Sequence, residues 1–193
     1  MWYDGGMDKA TICSMALGLV GSAHYAVGTP EYDACDLYFG QLYGELLAGH
    51  DWSFARRRVT LERCEHGWLM PCDCLRVIEL RGLNNWRIYG GHLCAEDDAV
   101  ADGEVVMVYT SSQLADRGEL PDTMRMFARA LILRLGGALA AAVVHDQRLS
   151  GWLMQEAEGA RQEAMRLDTQ QDNSNDQHPL TGMLGNSLTR GGF

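Results

Sequence analysis

The sequence predicts an α+β fold, mainly α, with a small antiparallel β-sheet inserted between the second and third helices of a four-helix bundle-like body. Three observations lead to this prediction. Apolar residues recur at steps of three and four on both sides of the middle of the chain, as on the buried face of a helix. Residues 54–110 instead alternate between apolar and polar, as strands do. Residues 173–193 are polar and rich in Gly and Asn, which predicts a flexible, extended C-terminal tail after a single domain at 1–172.

The first two helices are expected at about 8–20 and 30–48. Asp8 can cap the first helix and Gly21 can end it, because glycine readily adopts the left-handed conformation found after helices. Thr29-Pro30 is typical of a helix start, with proline at the first helical position. The second helix has one apolar stripe, made of Tyr32, Cys35, Phe39, Leu42 and Leu46. Residues 1–7 show no periodicity and are expected to be a leader.

The third and fourth helices are expected at about 121–144 and 149–168. Leu120-Pro121-Asp122 is typical of a helix start, and the third helix is apolar nearly all round, which predicts a central position. Gly136-Gly137 costs helix propensity, about 1 kcal/mol per glycine, so we expect close packing or a kink there. The apolar run at 135–144 is shorter than the roughly 20 residues that span a bilayer, which predicts a soluble protein with no membrane partner.

Between the second and third helices, residues 54–110 predict a sheet of four or five short strands. The chain enters it after the junction at 46–55, where Trp52 and Phe54 are expected to anchor the turn in the core. It turns at Glu65-His66-Gly67, and Gly90-Gly91 suits a tight hairpin. The three arginines at 56–58 are expected to pair with carboxylates rather than with phosphate, because the chain as a whole is acidic.

Composition limits the classes of function. The formal charge is −10 and the pI about 4.9, which argues against a protein that grips nucleic acid through a basic face. Six cysteines without a secretory signal pattern predict reduced thiols in a cytosolic protein. No local pattern pairs a nucleophile with a base, and Gly90-Gly91 lacks the context and lysine of a phosphate loop. We therefore expect no enzymatic activity, no catalytic residues and no cofactor.

Two pairs of residues suggest a metal site. Cys64 and His66, and likewise Cys72 and Cys74, are two residues apart, so within a strand each pair points the same way. The spacing differs from the Cys-x-x-Cys turns of common zinc sites, and Cys74 can equally be a small core residue. A small cytosolic metal-binding or thiol protein that uses these four residues therefore remains an alternative, although we predict no metal.

The tail carries one pattern. Its apolar residues recur at helical spacing and the sequence ends in an aromatic residue; they are Leu180, Met183, Leu184, Leu188 and Phe193. A terminus with incidental apolar residues is one interpretation. The other is a segment that folds when it docks to a partner.

A longer pattern lies at the junction. It runs from a helix end through His-x-Trp-x-Phe-Ala-x-x-Arg-x-x-Leu into Pro-x-Asp-x-Leu-Arg-Val, and its residues are His50, Trp52, Phe54, Arg58, Leu61, Pro71, Asp73, Leu75, Arg76 and Val77. This order and spacing resembles the head-to-tail adaptor (connector) family of tailed bacteriophages, which includes the tail tubular A proteins of short-tailed phages. The resemblance extends over about residues 8–172, from ATICSMALGLVG to MVYTSS and FARALILRLGGALAAAV.

The resemblance implies a structural virion protein at the neck, made and assembled in the host cytoplasm. Such adaptors form a ring homo-oligomer, typically of twelve copies, that joins the portal protein to the downstream tail or nozzle protein. DNA passes through the ring only as cargo during packaging, retention and ejection. The C-terminal segment of such adaptors commonly embraces the portal, which would give the apolar tail residues a docking role. A host-side interaction module with a similar helical core is a further alternative.

Overall fold

The computed structural model describes residues 7–22, 25–95, 104–120 and 124–176. Within these ranges the chain forms five α-helices and nine short strands, so the predicted α+β class is confirmed. The helices are α1 Lys9–Leu19, α2 Pro30–Ala48, α3 Gln113–Arg117, α4 Arg125–Ala142 and α5 Gln147–Asp176. The four long helices form the body. α4 lies at its centre, in contact with α1, α2 and α5.

Local capping chemistry explains where α1 and α2 begin. The Asp8 carboxylate accepts a hydrogen bond from the Thr11 amide at 2.8 Å, which satisfies one of the free N–H groups of the first turn. The Thr29 hydroxyl oxygen accepts one from the Tyr32 amide at 3.2 Å, and Pro30 is the first residue of α2. Gly21 has a φ of 74°, the left-handed conformation expected after α1. These predicted boundaries are confirmed to within a residue.

The predicted boundaries of the other two long helices were less accurate. α4 begins at Arg125 rather than 121, because the chain just before it forms the strand β9, Glu119–Leu120. This strand pairs with β1, Met7–Asp8, so Met7 belongs to the folded domain rather than to a leader. α5 continues to Asp176, past the predicted end at 168 and the predicted tail start at 173. The sequence between 168 and 176 has no Gly or Pro to stop the helix.

The two glycines of α4 lie where neighbouring helices pack closely against it. A Cβ atom on Gly136 would lie 3.2 Å from a Leu19 methyl carbon and 3.6 Å from Leu153, and one on Gly137 would lie 3.0 Å from the Met154 side chain. Glycine here lets α1 and α5 approach α4 closely, as the sequence predicted. Within the described parts of the chain, no helix is long and apolar enough to cross a membrane.

The inserted region holds two antiparallel sheets rather than the single sheet predicted. Its strands are β2 Arg56–Thr60, β3 Arg63–Cys64, β4 Gly67–Leu69, β5 Cys74–Arg81, β6 Trp86–Tyr89, β7 His92–Ala95 and β8 Val106–Ser111. One sheet has the order β2-β8-β5 and the other β3-β4-β7-β6. The sheets share a small second core, formed by Leu61, Trp68, Leu83, Leu93, Val105, Met107 and Tyr109. Because β5 pairs with the distant β8 rather than with β4, the strands divide between two sheets.

Candidate functional site

The junction between α2 and the sheets is built around Trp52. Its side chain is only 1% exposed, and its indole N–H donates to the Leu46 carbonyl oxygen at 2.9 Å. That carbonyl belongs to the last turn of α2 and also accepts a longer hydrogen bond from the Gly49 amide, at 3.3 Å. The indole N–H therefore adds a second, shorter bond at the helix end, and this bond fixes the indole ring. Trp52 is a core residue, as the sequence predicted.

Aromatic contacts join this turn to the central helix. The ring centroid of Trp52 lies 4.8 Å from that of Phe127 on α4, and the two rings are nearly perpendicular. Phe54 lies 5.3 Å from Phe127, and His50 lies 4.7 Å from Trp52, both in edge-to-face arrangements. Such pairs are favourable beyond the area that they bury. The aromatic part of the junction pattern thus fixes the position of the sheets against the helical body.

A buried carboxylate, Asp168 of α5, closes the junction from the other side. Asp168 is 3% exposed and accepts hydrogen bonds from the Ser53 amide at 3.2 Å and from the Ser53 hydroxyl at 2.6 Å. The His50 Nε2 atom lies 3.3 Å from Asp168 Oδ2, without the alignment of a hydrogen bond.

Ser, His and Asp side chains therefore meet here, but not in the order used for nucleophilic catalysis. A nucleophilic serine gives its proton to histidine, which a carboxylate orients from behind. In this junction the carboxylate of Asp168 lies between the Ser53 hydroxyl and the His50 ring. The serine proton points at the carboxylate, so this geometry suits capping of the short 3₁₀ turn Ser53–Ala55. Sequence reasoning missed Asp168, because 115 residues separate it from Ser53.

The arginine run is anchored mainly within the chain. Arg56 makes a two-pronged contact with Asp51, at 2.7 and 3.0 Å, which fits the expected pairing with a carboxylate. Arg57 donates to the side-chain oxygen of Gln113 at 2.9 Å. Arg58 is exposed on β2. The hydrogen bond from Arg81, with a smaller contribution from the charge of Arg58, keeps the pKa of Glu79 below its usual value. One residue of the run thus stabilises the junction directly.

The second half of the pattern is organised by Asp73. Its carboxylate accepts hydrogen bonds from the Tyr109 hydroxyl at 3.1 Å and the Ser111 hydroxyl at 2.5 Å, and its carbonyl accepts from the Ser112 amide at 2.8 Å. The start of β5 is thereby fixed to the end of β8. Burial and the bond to Asp73 raise the pKa of Tyr109 to about 12.

The remaining residues of the pattern divide into buried and exposed sets. Leu61 is 7% exposed, and Val77 packs against the same second core. The Pro71 carbonyl accepts from the Cys74 amide at 3.1 Å, which closes the turn before β5. Leu75 and Arg76 are exposed. Most of the pattern therefore holds this chain's own elements together.

The four predicted metal-ligand candidates lie in different sheets. Cys64 and His66 belong to the β3–β4 hairpin, whereas Cys72 and Cys74 lie at the start of β5. Among the residues that the structure describes, no group of three His, Cys, Asp or Glu side chains is placed to hold a metal ion. Cys94 instead comes next to this hairpin, and its Sγ–H donates to the His66 carbonyl at 3.2 Å. The contact between Cys94 and His66 was not predicted from the sequence, because it depends on the pairing of β4 with β7.

A groove on the helical body was also missed. It lies between α1, α4 and α5, has a volume of about 590 Å³, and is lined chiefly by apolar side chains. Trp152 is 57% exposed, Met15 49% and Leu19 40% in this region. Arg125, Arg129 and Glu156 are its charged lining residues. An exposed apolar surface of this kind is typical of sites that bind a ligand or another protein.

The tail residues expected to dock on a partner lie outside the described residues. They are Leu180, Met183, Leu184, Leu188 and Phe193. A scan against protein-family models finds no match to the chain, and no curated protein matches it at a significant level.

Proposed function

We propose that this protein is a bacteriophage head–tail adaptor, a structural virion protein without catalytic activity. Copies of the chain would form a ring that joins the portal protein to the next tail or nozzle protein and continues the DNA channel. The observation that carries this proposal is the order and spacing of the junction pattern from His50 to Val77. The ring would lie at the neck of the virion, after synthesis in the host cytoplasm.

The architecture supports the proposal. The resemblance implies a helical body with an inserted β-region. In this chain two small sheets are inserted between α2 and α4. The buried part of the pattern fixes them to the helices through Trp52 and fixes β5 to β8 through Asp73. Each adaptor copy in a ring has to present several surfaces in a fixed relation to one another. Buried aromatic contacts and hydrogen bonds at the junction provide that rigidity.

The charge distribution is also suited to this role. The whole chain carries a formal charge of −10. Acidic surfaces that line a channel would repel DNA phosphates, so DNA could pass through the channel without binding. Residues 56–95 differ, with seven arginines against four acidic residues. The inserted region could therefore contact an acidic protein partner.

Exposed apolar side chains support the proposal that the protein functions within an assembly. Besides the groove residues, Tyr89 is 82% exposed and Ile88 53%, both on the edge strand β6. Unpaired strand edges and large exposed apolar residues favour contacts with other chains.

The deciding experiment mixes the purified protein with the portal protein encoded in the same genome. Electron microscopy should show a ring of this protein attached to the portal ring. A variant that ends after Asp176 should keep the thermal unfolding of the full chain and fail to join the portal, because it lacks the apolar tail. Normal docking by the truncated variant would refute the role of the tail. A mixture in which the full chain stays unattached would refute the adaptor proposal itself.

A further inference from the structure

The lining of the groove between α1, α4 and α5 holds two exposed arginines and one acidic residue. Arg125 and Arg129 line it, both are exposed, and neither forms an ion pair with any described residue. The acid in the groove, Glu156, forms no salt bridge with them. The groove thus combines an apolar floor with two available positive charges. Its occupant should present an apolar side chain with acidic residues close to it.

The outward face of α2 has this chemistry. Leu37 is 69% exposed, and Asp33, one helical turn before it, is exposed as well. Gly40 follows on the same face, and a Cβ atom added there or at Gly44 would meet no atom within 4 Å. All the charged residues of α2 are acidic. This face therefore offers an apolar side chain, acidic groups and room for another helix to approach closely.

The two surfaces lie on opposite sides of the central helix. α4 meets α2 through Phe127, whose ring lies 5.6 Å from that of Tyr43, and through Arg134, which binds Glu45 at 2.7 Å. The groove is lined by other α4 residues, including Arg129 and Ile132. With about 100° of rotation per residue, the two sets of α4 residues point in roughly opposite directions. One copy can therefore present both surfaces at once.

We infer that the outward face of α2 in one copy binds in the α1/α4/α5 groove of a second copy. Leu37 enters the apolar groove beside Trp152, and Asp33 pairs with Arg125 or Arg129, since Asp36 already binds Lys9 of its own chain. Because the two surfaces differ, the contact is head-to-tail and continues from copy to copy until a ring closes. The inference deepens the proposed adaptor ring and rests on that proposal for ring closure.

Two single substitutions test the pairing, at side chains that are 57% exposed in the groove and 69% exposed on α2. Trp152→Asp damages the groove and leaves the α2 face intact, whereas Leu37→Asp does the reverse. Sedimentation velocity of the full chain should show concentration-dependent association between micromolar and about 1 mM protein, a range typical of weak specific contacts. Each variant alone should associate more than about tenfold more weakly, as expected for a central contact residue. Leu69→Asp, on β4 at a side chain that is 54% exposed, is the matched control and should behave as the unmodified chain.

Mixing the two variants gives the sharpest result. Each retains the surface that the other has lost, so an equimolar mixture should form dimers that do not grow further. The inference is overturned if the unmodified chain stays monomeric over the whole range. It is also overturned if either variant associates normally, or if the mixture forms no dimer. Circular dichroism spectra that match the unmodified chain show that each variant is folded.

Portal binding separates this inference from the proposed function. If both variants form normal rings on the portal, the groove is not the contact between copies, and the adaptor proposal stands. If the mixture forms dimers but the unmodified chain never attaches to the portal, the contact stands and the adaptor proposal fails.

Discussion

Replacing Trp52 by alanine should destabilise the protein strongly. The side chain is 1% exposed and touches Phe127, Phe54 and His50, so its removal leaves a large cavity between α4 and the junction. Core substitutions of this size cost about 3–5 kcal/mol. The indole N–H also satisfies the Leu46 carbonyl, and loss of a buried hydrogen bond adds about 1 kcal/mol. We expect a total near the upper end of that range.

Urea unfolding followed by far-ultraviolet circular dichroism measures this cost without depending on tryptophan fluorescence. Trp152→Ala is the matched control: the same residue type is removed where it is 57% exposed, and the free energy of unfolding should change by less than about 1 kcal/mol. Trp52→Phe should fall between the two, because it keeps the aromatic packing and loses the N–H. If Trp52→Ala and Trp152→Ala cost the same, Trp52 does not hold the junction together.

Two further predictions concern the hydrogen bonds at the junction. Asp168→Ala leaves the Ser53 amide and hydroxyl without their acceptor and should cost about 2–4 kcal/mol in urea unfolding, whereas Ser53→Ala should cost about 1 kcal/mol; equal costs would contradict the capping role of Asp168. Tyr109 has its pKa raised from 10.0 to about 12, so its neutral form stabilises the fold, and that stability is present below pH 10 and lost as pH rises through 12. The unmodified chain should lose about 2 kcal/mol more than Tyr109→Phe between pH 10 and pH 12, and parallel pH profiles of unfolding would show that the phenol is not responsible.

Features set by neighbouring residues could be predicted from the sequence. Asp8 and Thr29 cap their helices through hydrogen bonds to the amide three residues later in the chain. Gly90-Gly91 forms a hairpin turn between two strands that are adjacent in sequence. The division of the strands into two sheets could not be predicted in this way. It depends on pairing of β5 with β8, which are separated by more than twenty residues, and on register shifts within that pair. The two-residue pair β1–β9 is too short to leave a periodic signal.

The surfaces were harder to predict than the core. The sequence shows apolar residues on α1 and α5, but it does not show which of them stay exposed once the helices pack. Trp152 and Leu19 border a groove because glycines in α4 bring α1 and α5 close without covering these side chains. Asp168 contacts Ser53 because α5 is long enough, and runs in the right direction, to reach the junction. Exposure and contacts between distant residues follow from the packing of whole elements.

The junction pattern itself contains two kinds of residue, and only one kind is explained by the fold. Trp52, Asp73 and Val77 are buried or hydrogen-bonded within the chain, so any protein with this architecture would need similar residues. Arg58 and Arg76 are exposed, and neither forms a salt bridge with a described residue. They face the same side of the β2-β8-β5 sheet, since they pair with Val108 and Thr110, two residues apart on β8. Glu79 also pairs with Val108 and interacts with the charge of Arg58, so the chain itself gives Arg58 an acidic neighbour. Arg76 is the arginine that a contact with an acidic partner protein would use, which is the role that the adaptor proposal gives to the inserted region.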